Sequence, residues 1–366
     1  MIPFVDLNAQ YQTICDEVDS AIQNVICVSD FIRGSALDSF EVAFGEICDA
    51  KHVSSVGSGT EALHMALRAL EIGPGDEVIT VTNTWISTSF VIDYVGATPV
   101  LVDIDPETYQ MDPLELEKAI TPRTKAIIVV HLYGHPAPMT KISEICRRHG
   151  IYIIEDVAQA ILAETDGMQT GTIGDIGCYS FYPSKNLGCY GDGGAVITNH
   201  DDIAEKLRII TNYGQSEPFV HSIIGYNNRL DTIQAAILKV KLNYLEDWNK
   251  ARRQHAQSYI SALSDLPIKL PVQRHNAKAV YHLFVIEIDH RDECITHLKD
   301  DGISAQIHYP TPIHLQPCYK YLGYKKGDFP VAETAASRIL SLPIYPELSS
   351  KQIENVTSSL RKFIEA

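Results

Sequence analysis

The chain has 366 residues, 45% hydrophobic and 21% charged, which is typical of a globular protein with more than one ordinary core. Its formal net charge of −16 argues against binding to nucleic acid or to an acidic membrane, because both need clustered Lys and Arg to neutralise phosphates. The eight cysteines are scattered and show no C-x-x-C spacing, so we expect reduced thiols, no disulfide framework and no zinc site.

The first residues lack a basic segment followed by an apolar stretch, the pattern of a secretion signal. Apolar runs such as residues 126–130 are far too short to span a bilayer. We therefore expect a cytoplasmic protein without a membrane anchor.

Apolar spacing predicts an amphipathic helix from residue 7 to about 28 and another over 39–48. Strands and helices then alternate. Helices are predicted from residue 61, over 112–120 and over 139–149, and strands at 78–82, 99–103, 126–131, 152–155, 178–182 and 195–198. Such alternation predicts an α/β fold with a mostly parallel sheet between helices.

A loop-like stretch over 211–229 precedes a predicted helix over 232–248. We place a domain boundary near residue 250, which divides the chain into a large domain, 1–250, and a smaller α+β domain, 251–366. In the smaller domain the patterns predict strands at 279–288 and 303–309 and helices at 291–299, 330–340 and 349–364.

A single lysine, Lys185, follows the predicted strand at 178–182, just after Pro183. In open α/β sheets, ligands bind at the carboxyl ends of strands. Asp156 lies at the end of another strand, and an amine with such a carboxylate is what pyridoxal-phosphate chemistry requires: the amine forms a Schiff base and the carboxylate pairs with the ring nitrogen. Gly57-Ser58-Gly59-Thr60 opens a helix, and free N–H groups there would bind the phosphate.

Five sequence blocks in this order resemble a known family: IPFVDL at 2–7, GSGTEAL at 57–63, EDVAQA at 155–160, SFYPSK at 180–185 and GYNNRLD at 225–231. The chain is similar to the DegT/StrS nucleotide-sugar aminotransferases, which are fold type I pyridoxal-phosphate enzymes. The resemblance implies a large domain with a seven-stranded type of sheet, a smaller C-terminal domain, and pyridoxal 5′-phosphate (PLP) as cofactor, with pyridoxamine phosphate (PMP) in the half-reaction.

The resemblance also implies roles for individual residues. Lys185 and Asp156 are the catalytic residues, and Lys185 carries the cofactor and then moves the proton from the amino donor. The other cofactor contacts are Ser58, Gly59, Thr60 and Ser180 at the phosphate, Trp85 over the ring, Gln159 at the 3′-oxygen, and Asn227 from the second subunit of a homodimer. The substrate contacts are Tyr182, Arg229, His308 and Tyr309.

Simpler structural roles stay open for several of these residues. Gln159 could serve only the loop backbone, Trp85 the core, and Thr60 a helix cap. Arg229 could be an interface residue, and His308 could only pack. His131 and His135 are four apart, but Gly134 and Pro136 disfavour a helix there, so we expect no metal site.

Several features of the sequence bear on the reaction. Lys185 excludes the family's dehydratases, in which histidine replaces lysine. YPSKNLG at 182–188 with GDGG at 191–194 looks like the members that act on 3-keto sugars, although Ser184 departs from their usual Gly or Thr.

The resemblance thus implies amino transfer from L-glutamate to C3 of a dTDP-linked 3-keto-6-deoxyhexose, which would make an amino sugar for O-antigen, lipopolysaccharide or another surface polysaccharide. The alternatives are a UDP-linked 3-keto sugar acid, a 4-keto-6-deoxy sugar, or a PLP-binding regulatory protein. A Rossmann dehydrogenase would need G-x-G-x-x-G, and position 62 is alanine.

Overall fold

The computed structural model describes all residues from Met1 to Ala366. The strands are β1 (His52–Val56), β2 (Glu77–Val81), β3 (Thr98–Val102), β4 (Thr124–Val130), β5 (Tyr152–Asp156), β6 (Glu164–Thr165), β7 (Met168–Gln169), β8 (Ile176–Ser180), β9 (Gly194–Thr198), β10 (Gln215–Glu217), β11 (Val220–His221), β12 (Ala277–Lys278), β13 (Phe284–Glu287) and β14 (Ile339–Leu342).

The helices are α1 (Leu7–Val28), α2 (Ser35–Cys48), α3 (Gly59–Ala69), α4 (Ser87–Tyr94), α5 (Pro113–Ala119), α6 (Met139–His149), α7 (Asp201–Ile210), α8 (Thr232–Leu242), α9 (Leu245–Leu263), α10 (Arg291–Asp300), α11 (Pro330–Arg338) and α12 (Ser350–Glu365). None of them combines the length and the apolar character that crossing a membrane requires.

The central sheet has seven strands in the order β1-β9-β8-β5-β4-β2-β3. Strands β3, β2, β4, β5 and β8 are parallel, while β9 pairs antiparallel with both β8 and β1. Six of the seven strands therefore run in one direction. The predicted α/β fold with a mostly parallel sheet is confirmed.

Both faces of the sheet are covered, because neighbouring residues of its strands point to opposite sides. On one face, Val78 and Ile128 share a core with Leu63 of α3 and Leu207 of α7. On the other, Ile79 and Ile127 share a core with α5 and α6, and Tyr179 and Ile197 pack with α2 and α8. The strands are buried on both sides, so loops at their ends carry the accessible polar groups.

A second core lies around the antiparallel pair of β13 and β14. It contains apolar residues of α10 and α12 and the second half of α9, for example Leu298, Leu360 and Tyr259. The first half of α9 packs elsewhere: Leu245 and Trp248 belong to cores that contain α8. Helix α9 therefore connects the two regions, and the boundary at residue 250 remains a prediction.

The structure differs from the predicted elements at several places, among them residues 339–340, predicted as helix, which begin strand β14. The helix predicted over 232–248 is two helices, because Asn243 and Tyr244 bond to carbonyls three residues back and tighten the chain into a turn. Of the strand predicted over 279–288, only residues 284–287 form a strand, β13, because the chain turns at Tyr281, which has φ +45°. The strand predicted over 303–309 is wrong: that segment forms only two single bridges to other strands or segments, Ile2 to Ile303 and Gln306 to Ser341.

Candidate active site

The carboxyl ends of five strands converge at one edge of the sheet. Ser58 follows β1, Trp85 follows β2, Val130 ends β4, Asp156 ends β5, and Ser180 ends β8 just before Lys185. These residues line a cleft of about 410 Å³. The predicted site residues at these strand ends therefore come together, since parallel strands bring their carboxyl ends to the same edge.

Eleven of the thirteen predicted site residues line this cleft. They are Ser58, Gly59, Thr60, Trp85, Asp156, Gln159, Ser180, Tyr182, Lys185, His308 and Tyr309.

Lys185 lies in a turn that begins at the end of β8, where its N–H donates to the carbonyl of Tyr182 over 2.8 Å. Its amine has no hydrogen-bond partner, and the carboxylate of Asp156 is the one group that attracts its charge. Burial lowers the pKa of Lys185 to about 8, and Asp156 opposes that shift only in part. The amine is therefore both unpartnered and easily deprotonated, as a nucleophilic lysine must be.

Asp156 is buried, with 7% of its surface exposed. Its Oδ1 accepts from the N–H of Ala158 over 3.1 Å, and its Oδ2 accepts from the hydroxyl of Thr88 over 3.0 Å. Burial raises the pKa of this carboxyl, while the two hydrogen bonds and Lys185 work in the opposite direction. No cation is bonded to it, so the carboxylate is positioned to pair with a positively charged ring nitrogen.

The first turn of α3 forms an anion cradle. Ser58 caps the helix by accepting from the N–H of Glu61 over 3.2 Å, and the N–H groups of Gly59 and Thr60 have no acceptor in the protein. A β-carbon at Gly59 would lie 2.6 Å from Cβ of Ser180, so only glycine allows the helix to approach β8 this closely. Free N–H groups at a helix N-terminus bind phosphate well.

Aromatic rings and an amide line the cleft between the cradle and Lys185. The rings of Trp85 and Tyr309 are 5.6 Å apart, and Trp85 is 57% exposed because one side of it faces the open cleft. Gln159 accepts from the N–H of Tyr133 over 2.6 Å and donates to the Tyr309 hydroxyl over 3.2 Å. Its amide also keeps one N–H for a ligand. The loop-backbone role and the cofactor role of Gln159 are thus compatible.

His308 and Tyr182 lie at the cleft wall and mouth. The ring of His308 stacks on Phe4 at 5.5 Å and its Nδ1 pairs with the Ser341 hydroxyl over 2.9 Å. Burial and the nearby Lys185 lower its pKa to about 4, so this imidazole is neutral near pH 7. Tyr182 is 55% exposed.

Asn227 and Arg229 lie outside the cleft of their own subunit. Asn227 is exposed and accepts a hydrogen bond from Arg229. Arg229 also donates to Asn212 over 3.1 Å and lies over the ring of Tyr213 at 5.3 Å. Their predicted roles therefore require the cleft of a second subunit.

His131 and His135 hold loop structure. His131 Nδ1 accepts from the N–H of Ala137 over 2.9 Å, so its Nε2 must donate to buried Glu155, 2.8 Å away. His135 Nε2 accepts from the N–H of Arg274 over 3.2 Å. No three His, Cys, Asp or Glu side chains in the chain come close enough together to hold a metal ion.

Sequence reasoning missed Thr88, Asn186 and His282. Thr88 orients Asp156, and the one signal for it is the spacing of Thr84 and Thr88, whose hydroxyls meet at 3.1 Å. His282 lines the cleft and is 96 residues from Asn186, its hydrogen-bond partner. No local pattern could connect those two.

The cleft fits pyridoxal phosphate at three points. The α3 cradle suits its phosphate, Asp156 suits its ring nitrogen, and the free amine of Lys185 suits its aldehyde. When bound, this cofactor supplies an electron sink for the pair of electrons released at the α-carbon of an amino donor. Asp156 would keep the ring nitrogen charged and Lys185 would hold and move the proton.

Comparison with known proteins agrees with this site. The profile of the DegT/DnrJ/EryC1/StrS aminotransferase family matches residues 12–361. The dTDP-3-amino-3,4,6-trideoxy-alpha-D-glucose transaminase of Streptomyces venezuelae is 44% identical, over 100% of this chain and 96% of its own length. The UDP-N-acetyl-3-dehydro-alpha-D-glucosamine 3-aminotransferase of Acidithiobacillus ferrooxidans is also 44% identical, over 99% of this chain and 97% of its own.

Solved structures agree as well. The S. venezuelae protein DesV, crystallised with a ketimine intermediate, superposes with a TM-score of 0.98 at 44% identity, covering 100% of this chain and 99% of its own. Bacillus subtilis NtdA with bound cofactor PMP has a TM-score of 0.93 at 31% identity, covering 100% of this chain and 85% of its own. PLP is thus the cofactor of this enzyme, and the chain belongs to the DegT/DnrJ/EryC1/StrS aminotransferase family.

Proposed function

We propose that this aminotransferase moves an amino group from L-glutamate to C3 of a dTDP-linked 3-keto-6-deoxyhexose. The observation that carries the proposal is the free amine of Lys185, in one cleft with the Asp156 carboxylate and the open N-terminus of α3. Each of these three groups matches a different part of the cofactor. A protein that only binds the cofactor would not need an amine with a lowered pKa.

Lys185 is the group that moves protons at the donor. Because its pKa is about 8, an appreciable fraction of the amine is neutral near pH 7 to 8 and can accept a proton without a large energetic cost. His308 is neutral in the same range, so it adds no positive charge that would compete with a cationic ring. Lys185 is thus the one lysine in the cleft lining, which also contains the carboxylates of Asp156 and Asp192.

The names of two relatives support a 3-keto sugar nucleotide. One relative at 44% identity is named for a dTDP-3-amino sugar, and another at 44% for a UDP-linked sugar aminated at position 3. Both names place nitrogen at C3, which favours a 3-keto sugar over a 4-keto sugar. They differ in the nucleotide, so a UDP-linked 3-keto sugar is the second candidate.

An amine-exchange assay tests the substrate. The purified enzyme with PLP is given 2-oxoglutarate and a panel of dTDP- and UDP-linked 3-amino and 4-amino sugars, and formation of glutamate is measured. This direction avoids the unstable keto sugars. We expect turnover with the dTDP-linked 3-amino sugars. Turnover with a 4-amino sugar alone would overturn the position at C3, and turnover with UDP-linked sugars alone would overturn the nucleotide.

We also propose a homodimer with shared active sites that works in the cytoplasm. Asn227 lies outside the cleft of its own subunit, which supports the expectation that it reaches the phosphate bound by a partner. The exposed apolar side chains of the β10 and β11 region, among them Phe219 at 91% and Ile224 at 85% exposed, support contact with a second copy. All eight cysteines are free, as suits a reducing compartment.

A further inference from the structure

The loop that carries Lys185 is fixed at both of its ends. At the start, the N–H of Lys185 bonds to the carbonyl of Tyr182. At the end, the N–H of Cys189 bonds to the carbonyl of Phe181 over 2.8 Å, and buried Lys241 donates to the carbonyl of Gly188 over 2.7 Å. The backbone of the loop therefore has a defined position before any ligand is bound.

Asn186, the residue after Lys185, anchors the middle of the loop. Its side chain is buried, with 4% of the residue exposed. Nδ2 donates to Oδ1 of Asn249 over 2.7 Å and to the carbonyl of Val280 over 3.3 Å, while Oδ1 pairs with Nδ1 of His282 at 3.2 Å. A neighbour of the catalytic lysine is thus bonded to three residues far away in the sequence.

Asn249 connects this loop to the segment that follows Asp156. It is 1% exposed and belongs to α9, and its Nδ2 donates to the carbonyl of Ile161 over 3.1 Å. Ile161 lies five residues beyond Asp156. One side chain therefore bonds to the Lys185 loop through its oxygen and to the Asp156 loop through its nitrogen.

His282 completes the arrangement on the cleft side. Because Asn186 uses its nitrogen as a donor to Asn249 and Val280, its oxygen must accept, so Nδ1 of His282 carries the proton. The main chain around His282 is held by Arg252 of α9, which lies within 3.4 Å of the carbonyls of Tyr281 and His282. Burial, Lys185 and Arg252 all lower the pKa of His282 well below its usual value, which keeps the ring neutral.

We propose that Asn186, Asn249 and His282 are positioning residues, which together hold the amine of Lys185 at a fixed place relative to the carboxylate of Asp156. We call these three residues the asparagine brace. The amides of Asn186 and Asn249 bond neither to the Lys185 amine nor to the Asp156 carboxylate. They act through the two loops that they join. The proposal rests on Lys185 being the amine that carries the cofactor.

The first test compares Asn249→Ala with Asn243→Ala. Asn243 is an exposed residue six positions earlier, with no side-chain hydrogen bond, and it serves as the matched control. A shift of about 1 Å in a catalytic group costs roughly 100-fold in rate. We expect Asn249→Ala to lower kcat about 10- to 100-fold while KM for both substrates stays within about threefold, and Asn243→Ala to leave kcat unchanged.

A second readout does not depend on turnover. Hydrogen exchange of the cofactor-free proteins should be faster in Asn249→Ala than in wild type for the amides of residues 183–189 and 157–163, and unchanged in Asn243→Ala. The double variant Asn186→Ala/Asn249→Ala should lose less kcat than the product of the two single losses, because both single variants remove the Asn186–Asn249 hydrogen bond. If Asn249→Ala does not fold, Asn249→Ser is used in its place, with the same expected result.

Failure of the asparagine brace and failure of the proposed function give different results. An Asn249 variant with a lower melting temperature but wild-type kcat would overturn the brace, because a purely structural residue behaves in that way. Unchanged hydrogen exchange in both loops, or additive losses in the double variant, would also overturn it. Failure of the proposed function would appear in the wild-type enzyme, as absence of turnover or of cofactor on Lys185.

Discussion

Lys185, the proposed catalytic amine, works against the stability of the fold. Its pKa falls from the usual value of 10.5 to about 8, so below pH 8 the native state contains a partly buried charge that the unfolded chain keeps in water. As pH rises from 8 to 10.5, the native lysine loses its proton before the unfolded one does. The contribution of Lys185 to the free energy of unfolding therefore rises between pH 8 and 10.5.

We predict that Lys185→Met stabilises the cofactor-free protein by about 1–3 kcal/mol at pH 7, after the lost attraction to Asp156 is taken into account. The gain should shrink as pH rises from 8 to 10.5. Urea unfolding of the two cofactor-free proteins at several pH values measures it. If the variant is less stable than wild type at pH 7, the charge on Lys185 does not destabilise the native state as proposed.

Asp156 is the second residue whose role can be tested directly. Asp156→Asn keeps the shape and both hydrogen-bond partners but removes the negative charge that faces the cofactor ring. Removing one partner from a buried charge pair costs about 3–5 kcal/mol, so we predict that kcat falls roughly 10²- to 10⁴-fold. Steady-state kinetics with saturating PLP measures this loss.

Asp175→Asn is the matched control for charge removal. Asp175 precedes the amino end of β8, opposite to the end that meets the cleft, and accepts from the N–H of Ile153 over 2.7 Å. Its replacement should leave kcat within about twofold of wild type. A similar loss of kcat in both variants would mean that overall charge, and not the position of Asp156, controls the rate.

At the scale of elements, the N-terminus of α3 can lie close to the end of β8 because Gly59 has no side chain. We predict that Gly59→Ala weakens PLP binding at least about tenfold, because the new β-carbon, 2.6 Å from Cβ of Ser180, moves the free N–H groups away from the phosphate. Gly73→Ala is the control, since its β-carbon would meet nothing closer than 3.8 Å. Titration of the cofactor-free proteins with PLP compares them, and equal affinity would contradict the cradle.

The elements of the large sheet could be predicted because each one has its own local pattern. Predicted helices over 7–28 and 139–149 coincide with α1 and α6, and the strand at 152–155 falls within β5. The direction of β9 could not be predicted, since a run of apolar residues looks the same in either direction. Strand β1 was missed because its sequence, HVSSV, has no regular alternation and lies at the sheet edge.

Part of the candidate site could also be predicted from local sequence patterns. Residues that directly follow strands, such as Asp156 and Lys185, could be placed because strand ends share an edge of the sheet. Residues that reach the cleft from elsewhere, such as Thr88 and His282, could not be placed, because their partners lie 68 and 96 residues away. The segment of His308 was placed in a strand, although it is a loop fixed by its side chains and by Tyr133.

At the scale of the whole molecule, the proposed shared active site can be tested with mixed dimers. A Lys185→Ala subunit should be inactive, and an Asn227→Ala subunit should bind PLP poorly in its homodimer. In a mixed dimer, the cleft with an intact Lys185 receives its Asn227 from the Lys185→Ala subunit. We therefore predict that mixing the two inactive proteins after mild unfolding restores up to about half of the wild-type activity per mixed dimer.

Activity of the mixture is compared with each variant that is unfolded and refolded alone, which controls for the treatment. If Asn227 served its own cleft, every cleft of the mixed dimer would lack one essential residue. No recovery after confirmed formation of mixed dimers would therefore contradict the shared site.

We propose that one amine at the carboxyl edge of the sheet, that of Lys185, carries the cofactor. Borohydride reduction of the purified enzyme with PLP, followed by peptide mapping, is the decisive measurement. We expect loss of the visible colour and one modified peptide, with the reduced pyridoxyl group on Lys185. A reduced group on any other lysine, such as buried Lys241, or on no residue at all would contradict it.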